Sequence, residues 1–153
     1  MRKYSYEHAL SRARAYCDKA ERAHWDVRNL LTRWGIPYHE REQIIMALIE
    51  VDVLNEARYA EAFTVDKFRF NKWGIGKIQQ HLKAKGVSPR NIADAMKRID
   101  PKEYRRSVLE IAQKQLEKHK GLQDYQKKQK TARYLLSRGS DSSVVWEVMS
   151  EGF

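Results

Sequence analysis

Positively charged side chains interleaved with aromatic residues are the feature of this sequence with the clearest chemical meaning. No carboxylate occurs between Asp66 and Asp94, and seven basic residues fall in that interval: Lys67, Arg69, Lys72, Lys77, Lys83, Lys85 and Arg90. Phe68, Phe70 and Trp73 lie among them. Basic groups bind polyanions by releasing counterions from phosphates, and aromatic rings stack on bases or fix a protein partner. The interval therefore predicts contact with a polyanion or an acidic protein surface, with a solvated helix face as the alternative.

A second basic cluster lies closer to the carboxyl end of the chain. It is interrupted by Asp124 alone and consists of Lys118, Lys120, Lys127, Lys128, Lys130 and Arg133. The whole chain has 30 Lys and Arg against 20 Asp and Glu, a formal net charge of +10. Residues 1–52 carry +1, residues 53–104 carry +5 and residues 105–153 carry +4. The positive excess therefore belongs to the last two thirds of the chain.

Residues that could support catalysis or bind a metal form no recognisable constellation. The sequence has no HExxH, P-loop, GxGxxG or GxSxG motif. Five histidines are isolated from one another and show no spacing typical of metal ligands: His8, His24, His39, His81 and His119. The sequence therefore predicts no enzymatic activity, no cofactor and no metal site.

Composition predicts a folded, cytoplasmic protein. Hydrophobic residues make up 42% of the chain and charged residues 33%, which is typical of a folded domain and not of a disordered tail. No run approaches the roughly 18 apolar residues that a membrane span needs, and the first residues lack the apolar core of a secretion signal. Cys17 is the single cysteine. We expect it to be a buried helix thiol in reducing surroundings.

The periodicity of apolar residues indicates helices almost everywhere. Apolar residues recur along one helix face at Tyr104, Val108, Ile111, Ala112 and Leu116. Alternation of β-branched residues is nearly absent, and seven glycines and three prolines punctuate the whole chain. The predicted fold class is therefore all-α.

Three related segments repeat along the chain. Each has a leucine four residues before a glycine, and the glycines Gly35, Gly86 and Gly139 are 51 and 53 residues apart. A glycine at this position ends a helix in the left-handed conformation, where a Cβ is penalised. A short helix precedes each glycine, another follows it, and an amphipathic stretch opens each unit. We therefore predict an elongated, curved array of three three-helix repeats, at residues 1–52, 53–103 and 104–153.

The helix pairs around these glycines are similar to helix-turn-helix pairs. Such a hairpin is a general way to pack helices as well as a way to read DNA. Sequence-independent DNA binding by the pairs around Gly86 and Gly139 is therefore an alternative function.

The middle of the chain resembles the signature of the RecX family of bacterial recombination regulators. The resemblance rests on residues 54–60 (Leu-Asn-Glu-Ala-Arg-Tyr-Ala), 72–78 (Lys-Trp-Gly-Ile-Gly-Lys-Ile) and 82–88 (Leu-Lys-Ala-Lys-Gly-Val-Ser). Two positions depart from the family pattern: Asn55-Glu56 replaces an Asp-Asp pair, and Lys72 replaces a frequent glycine. That family also has three tandem three-helix repeats, so the resemblance covers most of the chain.

The resemblance implies a modulator of the RecA recombinase. Family members are similar in binding the RecA filament, limiting its extension and damping strand exchange and coprotease activity. The implied partners are the RecA filament and, more weakly, single- or double-stranded DNA, with the protein itself a monomer. The candidate contact residues are Arg58, Lys67, Arg69, Lys72, Trp73, Lys77, Lys83, Lys85, Arg90, Lys127, Lys128, Lys130 and Arg133.

Several candidate side chains have a structural interpretation beside the functional one. We expect Phe68 or Phe70 to close the core of the middle repeat. Trp73 is equally compatible with packing over its turn and with contacting a partner. Arg58 matches the family motif, but with Glu56 and Glu61 nearby it is also placed for an intrahelical ion pair.

Overall fold

The structure is a computed structural model that describes residues 1–151. Its regular secondary structure is all helical. Within that part of the chain there are nine α-helices and no strand. The helices are α1 (Tyr6–Lys19), α2 (His24–Arg33), α3 (Tyr38–Glu50), α4 (Glu56–Arg69), α5 (Ile75–Ala84), α6 (Pro89–Met96), α7 (Pro101–Lys118), α8 (Asp124–Ser137) and α9 (Ser142–Ser150). The predicted all-α class is confirmed, and none of these helices is long and apolar enough to cross a membrane.

The repeated glycines end α2, α5 and α8 as the sequence predicts. Gly35, Gly86 and Gly139 have φ values of 72°, 76° and 84°. The residue after each glycine donates its N–H to the carbonyl of the leucine four residues before that glycine, at 3.1 Å in all three cases. This is the Schellman pattern of helix termination, which satisfies a carbonyl that would otherwise lack a partner. The shared leucine-to-glycine spacing is therefore the sequence form of one repeated helix end.

One compact unit consists of Met1–Ala62 and Leu82–Asp94. Its core includes the side chains Ala9, Ala13, Cys17, Val27, Leu31, Ile36, Ile44, Ile45, Leu48 and Leu54. Small residues four apart on α1 allow close helix packing at this face. Cys17 is 7% exposed, and burial raises the pKa of its thiol to about 11, so that the buried-thiol prediction is confirmed.

A second compact unit consists, within the described residues, of 63–81 and 95–151. The predicted stripe on α7 is confirmed, because Tyr104, Val108 and Ala112 are buried. It packs with α8 and α9, whose buried side chains include Ala132, Leu135, Val145, Val148 and Met149. The last part of α4 and the first part of α5 also belong to this unit. They contribute the buried residues Phe68 and Ile78.

The net charge is distributed unevenly between the two units. The first unit contains 13 basic and 11 acidic residues, and the second contains 17 basic and 9 acidic residues. Their net charges are therefore +2 and +8. The positive excess, which the sequence assigned to the last two thirds, lies mainly in the second unit.

The structure decides two questions that the sequence left open. Of the two phenylalanines considered for the core, Phe68 is buried, at 6% exposed, whereas Phe70 is 80% exposed because α4 ends at Arg69 and the chain turns there. Arg58 binds Glu21 and Asp52 instead of its neighbours along α4. Both partners lie outside α4, so Arg58 ties this helix to the preceding part of the first unit.

His24 should make the stability of the protein depend on pH. It begins α2, and burial is the main cause that lowers its pKa; Arg28 also lowers it, while Glu56 and Glu42 oppose the shift. The unfolded chain therefore takes up a proton near pH 6.5 that the folded chain resists, so stability falls as the pH drops through that value. We expect urea unfolding to show lower stability at pH 5.5 than at pH 7.5, and His24→Gln to flatten this dependence. An unchanged slope in the variant would assign the effect to other groups.

Candidate interaction site

Five candidate residues lie together where α4 ends and α5 begins. We call this segment, residues 67–77, the basic turn; its candidates are Lys67, Arg69, Lys72, Trp73 and Lys77. All five belong to the second unit. The last turn of α4 places Lys67 and Arg69 at a helix carboxyl end, where the macrodipole favours cations. The structure thus brings together the part of the basic interval that is richest in aromatic residues.

Trp73 holds two of the lysines in place. The Lys77 ammonium lies 4.3 Å from the centroid of the indole ring, and the Lys67 ammonium lies 5.2 Å from it. The ring also contacts Phe63 edge-to-face at 5.8 Å between centroids. Cations above an aromatic ring are attracted by its quadrupole. Trp73 therefore packs over its turn and orients ammonium groups.

Phe63 and His81 complete this aromatic cluster. Their rings stack at 4.4 Å between centroids, and His81 also contacts Trp73 at 5.9 Å. Sequence reasoning did not include either residue in the site. Their spacing in the sequence could have indicated that they belong to the site, because Phe63 lies four residues before Lys67 and His81 lies four residues after Lys77. One helical turn separates each pair.

The backbone of Lys72 adopts the left-handed conformation, with φ at 58°. This is the position at which the RecX pattern frequently has glycine. A residue with a Cβ pays for this conformation, at roughly 1 kcal/mol or somewhat more. Lys72 is exposed and lines a shallow depression of about 290 Å³ together with Arg69, Arg106, Glu103 and Glu110. This depression therefore combines three cations with two carboxylates, and Lys72 is presented to solvent at its edge.

Lys72→Gly should stabilise the protein while removing a cation from the basic turn. We expect the free energy of unfolding to rise by roughly 0.5–1 kcal/mol, because glycine relieves the left-handed strain but also gives the unfolded chain more freedom. Lys72→Ala is the matched control, since it removes the same charge and keeps the strain. Urea unfolding of both variants measures the effect. Equal stability of the two variants would show that the conformation of residue 72 carries little strain.

Two glycines in the basic turn bring backbone segments into direct contact. The N–H of Gly74 donates to the carbonyl of Arg138 at 3.0 Å, and the N–H of Gly76 donates to the carbonyl of Gly139 at 2.8 Å. A Cβ on Gly74 would lie 2.1 Å from the carbonyl carbon of Gly139. Side chains are therefore excluded where the start of α5 meets the end of α8. We call this contact the glycine junction.

Side chains from α7 and α8 reinforce the glycine junction. The Tyr104 hydroxyl accepts the N–H of Ile75 at 3.3 Å and that of Asp141 at 2.8 Å, which links the first residues of α5 to the loop before α9. The Arg138 guanidinium donates to the carbonyls of Asn71 and Lys72 at 2.8 and 3.1 Å. The basic turn is thus fixed by hydrogen bonds as well as by packing.

The glycine junction also limits where phosphates could bind. The first N–H groups of a helix are a common anion site, but those of Gly74, Ile75 and Gly76 already donate to protein oxygens. The turn at Gly139 is covered by the same contact. Two helix pairs, around Gly86 and around Gly139, were considered for DNA binding. In the second pair, residues of the basic turn already cover the turn at Gly139. The turn at Gly86 is open, since a Cβ there would meet no atom within 4 Å.

Candidates in the first unit are partly engaged in internal contacts. The Lys85 ammonium lies 2.6 Å from Asp26 Oδ1 and 4.2 Å from the centroid of Trp25. Arg58 is held by Glu21 and Asp52, as described above. Lys83 and Arg90 are exposed on either side of Gly86. In this unit, Lys83 and Arg90 are therefore the candidates best placed for an external contact.

The remaining candidates lie on α8. They are Lys127, Lys128, Lys130 and Arg133. Lys127 forms an ion pair with Asp124 at 3.3 Å, and the other three are exposed. This helix contributes a second group of cations in the same unit as the basic turn. Among residues 1–151, no group of three His, Cys, Asp or Glu side chains is placed to hold a metal ion.

Fold and site together define a class of protein: an all-helical repeat protein that presents a rigid, cationic turn. Residues 55–96 match the second three-helix domain of RecX, and residues 102–149 match its third three-helix domain. The two matches cover more than half of the chain. The chain belongs to the RecX family.

Two relatives from named organisms support membership of the family, and the chain covers a different share of each of them. The chain is 31% identical to the regulatory protein RecX of Clostridium perfringens strain SM101 over 80% of its own length and 58% of that protein. It is 27% identical to the regulatory protein RecX of Prosthecochloris aestuarii over 94% of its length and 92% of the relative. The chain thus spans little more than half of the clostridial relative and nearly all of the second one. Both relatives carry the name regulatory protein RecX.

A solved structure has the same fold. The crystal structure of RecX from Lactobacillus salivarius matches with a TM-score of 0.87 over 95% of both chains, at 21% identity. At this level of identity the likeness establishes the fold alone. The predicted fold class and family are confirmed.

Proposed function

We propose that this chain binds the filament of the RecA recombinase and inhibits its extension, its strand exchange and its coprotease activity. Membership of the RecX family carries the proposal. The supporting feature is the basic turn in the second unit, whose net charge is +8. A nucleoprotein filament exposes phosphates and acidic side chains, and a cationic surface of this kind is complementary to both.

In this proposal the basic turn makes the central contact. Lys67 and Lys77 are oriented by Trp73, and Lys72 extends from a turn with a fixed backbone, so binding orders little backbone and mainly the side chain of Lys72. The exposed cations of α8 add a second contact. The protein acts as a cytoplasmic monomer built from three repeats, at residues 1–52, 53–103 and 104–153.

Direct DNA binding is the second candidate function, and the turn at Gly86 favours it. That turn is open and flanked by exposed Lys83 and Arg90. Few side chains are involved, so we expect the affinity for free DNA to be weak at physiological salt. A DNA contact of this weak kind would add to filament binding and would not replace it.

A strand-exchange assay tests the proposal. RecA-catalysed exchange between circular single-stranded and linear duplex DNA should be inhibited when this chain is added at or below the concentration of RecA. Affinity for each DNA alone, measured against salt concentration, separates the two candidates. Full exchange at a stoichiometric amount would contradict filament binding, and inhibition that requires saturation of the DNA would favour the DNA-binding alternative.

A further inference from the structure

An apolar groove lies between α8 and α9, and only its cationic edge takes part in the proposed filament contact. Its volume is about 370 Å³, and its lining consists of Tyr125, Lys128, Gln129, Ala132, Trp146, Met149 and Ser150. All of these residues belong to the second unit. Ala132 and Met149 form a floor that is 7% and 5% exposed, whereas Tyr125 and Trp146 rise at the edges with 71% and 63% exposure.

Two exposed aromatic rings, Tyr125 and Trp146, stand beside the apolar floor of the groove. Isolated exposed hydrophobic residues need no explanation, but an apolar groove with aromatic walls is typical of a site that accepts side chains from a partner. The spacing supports this interpretation: Tyr125, Gln129 and Ala132 follow one face of α8, and Trp146, Met149 and Ser150 follow one face of α9.

The charges around the groove indicate the partner's chemistry. Lys128 is the one charged side chain in its lining, and exposed Arg133 lies four residues after Gln129 on the same side of α8. Beside Trp146, Arg105 binds Glu147 at 3.0 Å and also binds Glu151, so that one guanidinium offsets one of two carboxylates. The lining itself is therefore positive, and the unit that carries it has a net charge of +8. A second copy of the chain would bring another unit of net charge +8 against this surface, so self-association is electrostatically unfavourable.

We propose that the groove between α8 and α9 binds an acidic segment of a partner protein, which inserts one or two aliphatic or aromatic side chains between Tyr125 and Trp146. Lys128 and Arg133 bind its carboxylates. The site does not depend on the basic turn, and it shares these two cations with the α8 contact of the proposed filament binding. Such a mode resembles recognition of an amphipathic segment by a hydrophobic groove.

Synthetic peptides of about twelve residues provide the probes. The first is rich in glutamate and carries two leucines, the second has serines in place of the leucines, and the third has lysines in place of the glutamates. Each carries fluorescein, and fluorescence anisotropy measures binding at low and at physiological salt. The first peptide should bind, and the other two should bind at least about tenfold more weakly.

Substitutions locate the site. Trp146→Ser and Lys128→Glu should each weaken binding of the first peptide by about tenfold or more, while Tyr134→Ser leaves it unchanged. Tyr134 is the matched control because it is an aromatic residue, 37% exposed, on the face of α8 opposite Tyr125, and it does not line the groove. Lys128→Glu changes only an exposed side chain, so it remains informative if Trp146→Ser disturbs α9. Thermal unfolding verifies the fold of each variant.

Several outcomes would overturn the inference. These are no binding of the first peptide at low salt, equal binding of the serine peptide, or equal binding by the Trp146 variant when it is folded. A dimer detected by light scattering that disappears on Trp146→Ser would assign the groove to self-association instead.

Discussion

Gly139→Ala should lower the free energy of unfolding by roughly 3 kcal/mol or more, which is a large part of the stability of a domain of this size. Two effects add. The new Cβ would lie 2.4 Å from the backbone nitrogen of Lys77, and backbone cannot move aside as a flexible side chain can. The residue also has φ at 84°, where alanine is strained by roughly 1–2 kcal/mol.

Gly86→Ala is the matched control for this prediction. Gly86 has φ at 76° and the same place at a helix end, but no atom lies within 4 Å of a Cβ built there. It should cost about 1 kcal/mol, the conformational part alone. Urea unfolding followed by circular dichroism measures both variants. Equal losses would show that the glycine junction does not depend on the absence of a side chain at residue 139.

Reversing three charges of the basic turn should weaken binding to the RecA filament by at least about 100-fold, or about 2.7 kcal/mol. The variant is Lys67→Glu, Lys72→Glu and Lys77→Glu combined. Each change replaces an attraction to phosphates or carboxylates by a repulsion, and the fixed turn prevents the new carboxylates from moving far away. Binding to preformed filaments on single-stranded DNA can be measured by interferometry.

The control must carry the same change in net charge within the same unit. Lys102, Lys114 and Lys118 lie on α7 outside the basic turn and are exposed. Their combined replacement by glutamate should weaken binding by about tenfold or less, through long-range electrostatics alone. Similar losses in the two triple variants would mean that net charge matters and that the basic turn is not the contact. Thermal unfolding of both variants excludes a general loss of structure.

Local features of the fold could be predicted because residues close together in the sequence determine them. The leucine-to-glycine spacing predicted three helix ends, and each has the expected left-handed glycine. The stripe from Tyr104 to Leu116 predicted the buried face of α7. Both signals depend on hydrogen bonds and packing within a few turns of one helix.

Contacts between distant segments could not be predicted in the same way. Lys85 binds Asp26 across 59 residues of sequence, and Arg58 binds Glu21 across 37. Such pairs depend on how the helices pack, which helical periodicity does not specify. The sequence also does not decide which of Phe68 and Phe70 enters the core; the end of α4 at Arg69 decides it, because Phe70 lies beyond the helix and its ring is exposed.

The glycine junction explains two glycines whose structural role the sequence does not reveal. Gly74 and Gly76 were recognised as part of a family motif, without a physical reason for either glycine. The reason is the approach of the Gly139 backbone, a contact between distant segments that helical periodicity does not specify. A basic residue lies directly before both Gly86 and Gly139: Lys85 reaches Asp26, and Arg138 reaches the carbonyls of Asn71 and Lys72. Lys85 was predicted as a partner contact, and Arg138 was missed.

The most direct test of the proposed function is ATP hydrolysis by RecA on circular single-stranded DNA, with this chain added at a stoichiometric amount while filaments are still growing. We predict that hydrolysis falls well below that of RecA alone, and that the triple glutamate variant of the basic turn has little effect. Unchanged hydrolysis with the unmodified chain, or equal inhibition by the folded triple variant, would contradict the account of the basic turn as a filament-binding site.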